Sequence, residues 1–94
     1  MAQKFIITTH NYFRFGNVFL HKDLLVGTEH CLGGGFYEFD YVSNRLILSG
    51  QSYDFGCPQW HLVKPLIMPK SIQGLQIEYE GCPLSDLVTQ IEYK

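Results

Sequence analysis

Two pairs of side chains in this sequence have the spacing of metal ligands: His30 with Cys31, and Cys57 with His61. The second pair shares one face if residues 57–61 are helical. Zinc asks for four such ligands, and no Cys-x-x-Cys pair supplies the rest, so no metal is expected. A cysteine nucleophile is no better supported, because Cys31, Cys57 and Cys82 have no base and orienting acid beside them. The most organised stretch is CLGGGFYEFDYVSNRLILSGQSYDFG, residues 31–56. Gly33, Gly34 and Gly35 mark a place where the chain needs unusual torsions or the close approach of another group. Ser52 and Asp54 read as residues that bond local amides in a turn. The stripe Tyr37, Phe39, Tyr41 has the form of a stacking platform, but core packing is expected where no basic groove accompanies it.

These residues must be held by one small domain spanning 1–94. A chain of 94 residues, 46% hydrophobic and 15% aromatic, has enough apolar surface for a single core without staples. Seven basic residues stand against nine acidic ones, and the basic ones are scattered. That balance gives no electrostatic reason to expect nucleic acid or an anionic membrane as partner. The start, MAQKFIITTH, lacks the apolar run of a secretory signal, and no segment has the length of a membrane span. Three widely spaced cysteines fit a reducing cytoplasm better than a disulfide scaffold.

Residues 4–10 are apolar on both alternating sides, the pattern of a central strand, and YFRF (12–15) extends it or pairs beside it. Asn17 can cap a helix over residues 18–26, with Gly27 at its C-terminal stop. Residues 36–42 alternate, Asn44 sits in the turn, and residues 46–49 return as the second arm of an antiparallel hairpin. Pro58 permits a short helix that Pro65 breaks or restarts. Residues 75–80 alternate again, with Leu75, Ile77 and Tyr79 inward. Leu84, Leu87, Val88 and Ile91 match an amphipathic helix, although Thr89, Ile91 and Tyr93 also fit a strand. The expected class is α/β (α+β): a mixed sheet of about five strands with a central hairpin and two or three short flanking helices.

The combination CLGGG, a hairpin with Asp40 before its turn, and GQSYDFG resembles the Janus family of small protein-histidine phosphatases. Members carry a lysine near the start of an upstream strand and a His-x-Asp followed by an aliphatic residue; Lys4 and His21-Lys22-Asp23-Leu24 match these. The resemblance implies cleavage of the phosphoramidate bond of phosphohistidine without a metal or other cofactor. It makes His21 the catalytic histidine, Lys4 the lysine near the phosphate, and Ser52, Tyr53, Asp54, Phe55 and Gly56 an amide cradle. Clustered N–H groups in a turn do bind anions, and a histidine does take a proton near neutral pH.

Several positions depart from that pattern. Phe36 stands where active members have an arginine, Asp54 where a small uncharged residue is usual, and the segment from His21 to Cys31 is shortened. A carboxylate in a phosphate cradle repels its ligand. The expectation is therefore a non-catalytic module that binds a protein or a small anionic ligand, as monomer or weak homodimer. The alternative is a metal-independent protein-histidine phosphatase using His21 and the 52–56 loop.

Overall fold

A computed structural model describes residues 1–63 and 65–94. The first strand, β1 (Ala2–Thr8), is rich in β-branched and aromatic residues, and Phe5, Ile6, Ile7 and Thr8 are all buried. It is covered on both edges, antiparallel to β2 (Phe13–Val18) on one side and to β3 (Cys31–Asp40) on the other. The central position expected for residues 4–10 follows from this double pairing. From β3 the chain turns into β4 (Arg45–Ser49), with Asp40 facing Arg45 and Phe36 facing Ser49. Asn44 closes the turn at φ 57°, a left-handed conformation its short amide side chain tolerates.

The strand β6 (Gln76–Tyr79) lies parallel to β4, and the two-residue β7 (Cys82–Pro83) folds back on it. The sheet order is β2-β1-β3-β4-β6-β7. A separate ribbon pairs β5 (Leu66–Met68) with β8 (Ile91–Tyr93) in parallel. A single bridge between Tyr12 and Ile67 joins the ribbon to the chain just ahead of β2. One face of the large sheet carries the core: Phe5, Ile7, Phe13, Tyr37, Leu46, Leu48 and Ile77 pack with Trp60, Leu66, Met68 and Leu84. Tyr37 is buried on this face and Phe39 partly so, both meeting Phe15 edge-on, so their role is packing; Tyr41, 81% exposed, only stacks on Phe39. The opposite face is covered by the His21 turn and the loop that follows it, and the candidate site lies there.

The expected α/β class with flanking helices is wrong; the chain is largely β. No helix forms over residues 18–26. Val18 continues β2 opposite Ala2, and only one 3₁₀ turn follows, His21–Leu24. Its opening is held by the Asp23 carboxylate, which accepts from the Leu20 amide at 2.9 Å. The glycine expected as a helix stop, Gly27, is indeed left-handed at φ 62°, but in a loop. Of the described residues between 58 and 68, Trp60–Leu62 form a 3₁₀ turn and Leu66–Met68 form β5; residue 64, within the short helix expected here, lies outside the described residues. The only α-helical segment among the described residues is α1 (Leu84–Leu87), one turn long. Beyond it the strand alternative holds, because β8 gains a hydrogen-bonded partner in β5. A single amphipathic turn is far below the length at which a helix holds itself in water.

The glycine triplet is strand, and what approaches it is the protein itself. A Cβ at Gly33 would lie 2.6 Å from the Pro58 nitrogen, and one at Gly35 would lie 2.5 Å from the Ser49 carbonyl oxygen. At Gly34 the obstacles are the Phe5 carbonyl oxygen and the His21 ring. Any side chain here would push β3 off its neighbours.

Candidate functional site

The site is built over Gly34. The 3₁₀ turn sets His21 against the face of β3 opposite the core, where the residue is 6% exposed and Nε2 lies 2.8 Å from the Gly35 carbonyl oxygen. A carbonyl can only accept, so Nε2 carries a proton and Nδ1 is the nitrogen that holds the lone pair whenever the ring is neutral. The Phe36 ring meets the imidazole edge-on, with centroids 5.5 Å apart. Lys4, directly opposite Phe36 in the ladder, donates from Nζ to the Phe19 carbonyl at 2.6 Å. That bond ties the ammonium to the segment leading into the His21 turn.

The third wall is the loop after β4. Ser52 is buried, and its amide donates to the Gly34 carbonyl at 2.9 Å, while the Gly34 amide donates to the Gly56 carbonyl at 3.0 Å. Within the loop the Gly56 amide donates to the Ser52 carbonyl, and the Phe55 amide donates to Ser52 Oγ at 3.2 Å. Of the five amides expected to form a cradle, those of Ser52, Phe55 and Gly56 are therefore engaged inside the protein. Those of Tyr53 and Asp54 have no partner among the described residues. Gly50 and Gly56, at φ 68° and 74°, let the chain bend sharply at each end of the loop.

Lys4, Leu20, His21, Phe36, Gln51, Tyr53 and Asp54 together line one cleft of about 430 Å³. Six of the sequence-derived residues thus fall into two groups. Lys4, His21, Tyr53 and Asp54 face the cleft; Ser52 and Gly56 fasten the loop behind it. Phe55 is half-buried and does not line the cleft. Leu20 and Gln51 were missed by sequence reasoning, since neither type announces chemistry and only adjacency brings them in. His21 lies beside the glycine strand and the serine loop, so the three features that carried the family resemblance are neighbours in space.

A further anchor is Tyr79 on β6. Its hydroxyl donates to the Gly50 carbonyl and lies 3.1 Å from Cys57 Sγ, spanning the loop from outside. Burial, and then the Cys57 contact, push this phenol well above its ordinary range. Tyr79→Phe should cost about 1 kcal/mol, the net value of one such bond, in urea unfolding followed by circular dichroism. It should also speed hydrogen exchange at Ser52 and Gly56. An unchanged midpoint would remove Tyr79 from the loop's support.

A second cleft, about 410 Å³, lies between β6 and the C-terminal strand, lined by Leu75, Ile77, Leu84, Ile91 and Tyr93 among others. Its one charged wall residue, Glu78, is already paired with Arg45 at 2.9 Å, so it gathers no reactive set. The two histidine–cysteine pairs do not become ligand sets either. Of residues 57–61 only Trp60 and His61 enter a 3₁₀ turn, so Cys57 and His61 do not share a helix face, and no group of three His, Cys, Asp or Glu among the described residues could hold a metal ion. The three cysteines are unbridged. No helix among the described residues is long and apolar enough to cross a membrane. Set against family models, curated proteins and solved structures, the chain matches none of them.

Proposed function

We propose that this chain is a non-catalytic binding module on a Janus-like scaffold, and that the cleft between Lys4, His21 and the 51–54 loop is its ligand site. The observation that carries this reading is the state of the loop amides. With three of five engaged internally and the Asp54 carboxylate on the cleft wall, the loop has lost most of the donor set a transferring phosphoryl group needs. What is left is a weak anion site: the Lys4 ammonium and the amides of Tyr53 and Asp54. Unbridged thiols at Cys31, Cys57 and Cys82 suit a reducing cytoplasm as its location.

Titration with inorganic phosphate, followed by backbone amide shifts, tests this directly. Shifts confined to residues 51–54 and the start of β1 are expected, with saturation only at millimolar phosphate. Removing the opposing charge in Asp54→Asn should tighten binding about tenfold, equivalent to roughly 1.4 kcal/mol of like-charge repulsion in a partly exposed cleft. Flat spectra in both proteins would overturn the proposal.

One observation favours a second reading, protein-histidine phosphatase activity: the Gly35 carbonyl engages Nε2 of His21, so Nδ1 of the neutral ring is the nitrogen left to act as base. In that reaction water attacks phosphorus as Nδ1 takes its proton, the P–N bond breaks, and the proton passes to the leaving imidazole nitrogen. Release of phosphate from a phosphorylated histidine peptide, abolished by His21→Ala, would favour this reading over simple binding.

A further inference from the structure

We propose that a second copy of this chain docks antiparallel along the open edge of β2, with the two-fold axis at Gly16. Thr8 donates to the Tyr12 carbonyl at 3.0 Å, which fixes the alternation of the β1–β2 ladder. In the register given by Ile6 opposite Arg14 and Lys4 opposite Gly16, the main-chain groups of Arg14 and Gly16 face β1. Those of Phe15 and Asn17 point away from it. Beyond the bridge at Tyr12, no strand among the described residues pairs with that outer edge.

Exposed edges of this length are usually blunted by proline, lysine or a bulge, and residues 13–18 contain none of the three. Apolar side chains flank the edge instead: Phe19 is 70% exposed just after it, and Val26, 57% exposed, shares a groove with Phe13 and Phe15. The edge is also its own complement. Pairing about Gly16 sets Phe15 against Asn17 of the other copy, and Asn17 against its Phe15, giving about four hydrogen bonds between outward-facing groups. Gly16 meets Gly16 on the axis without side chains. The one charge in the strand, Arg14, is paired with Glu29 at 2.7 Å, so the strand itself brings no unpaired charge to its copy. This register also keeps the second copy clear of β5, which occupies the edge at Tyr12.

Sedimentation equilibrium from about 1 µM to 1 mM should show mass rising from monomer toward dimer. Over the same range, hydrogen exchange at the Phe15 and Asn17 amides should slow at least fivefold, while that at Gly16 stays constant. Asn17→Pro removes only an outward-facing N–H and should leave a monomer at every concentration. A monomer throughout for the unaltered protein overturns the proposal. So does a dimer in which the Phe15 and Asn17 amides keep their dilute exchange rates, a result that needs no variant to fold.

Discussion

Gly35→Ala should destabilise this protein by about 3 kcal/mol and lower its melting temperature by roughly 15 °C. The added Cβ would sit 2.5 Å from the Ser49 carbonyl oxygen, 2.9 Å from the Phe5 ring and 3.0 Å from the Gly50 carbonyl oxygen. Two of these three atoms are backbone of the neighbouring strand and turn. Relief therefore means opening the β3–β4 ladder at Phe36 and Ser49, the pair beside the cleft. The third belongs to a fully buried ring at the centre of the core, which has no room to retreat. Gly27→Ala is the control. Its φ is 62°, but nothing lies within 4 Å of the new Cβ, so only the left-handed strain of about 1 kcal/mol is expected. Urea unfolding of both variants decides the matter: equal costs would mean that β3 and β4 do not approach each other as closely as described.

Glu29→Gln comes second, at about 2 kcal/mol near pH 7, and its effect should depend on pH. The Glu29 carboxylate is buried and accepts from Arg14 Nε at 2.9 Å, Arg14 Nη2 at 2.7 Å and the Val26 amide at 3.1 Å. These bonds pin the loop from Leu25 to His30 over β1 and β2, and that loop follows the turn bearing His21. The Arg14 bonds first, aided by the Val26 amide, hold the carboxyl below its ordinary range despite the opposing effect of burial. A carboxyl lowered in the folded state adds stability that is complete above its unfolded value of about 4.3 and is lost as pH falls through the folded value. Unfolding free energies of the two proteins should thus differ fully at pH 7 and converge as pH drops below about 4. A gap that stays constant down to pH 2 would show that Glu29 acts by packing alone.

Where one residue pattern had one solution, it was legible before any coordinates. The alternation of residues 36–42, Asn44 in the turn and the return at residues 46–49 leave an antiparallel hairpin as the only way to bury Tyr37, Leu46 and Leu48 on one side. Residues 4–8 are apolar on both sides and needed neighbours on both edges, which β2 and β3 provide. The helices failed for a shared reason. Val18 and Ile91 fit a helical period as well as a strand, and short ambiguous segments take whichever partner the fold offers. Ala2 was available to Val18, and Leu66 to Ile91.

The site divides along the same line. In the sequence, residue type alone marked the glycine triplet and the serine turn, while His21, Lys4 and the amide cradle were named only by the family resemblance. Sequence alone left open whether the loop amides face a ligand or the protein. That is a question of which acceptors stand within 3 Å, and the carbonyls that engage the Ser52 and Gly56 amides come from Gly34 and from Ser52 itself. Only folding decides it, because hydrogen bonding is short-ranged and directional, while the order of residues along a chain fixes neither distance nor angle between segments eighteen residues apart.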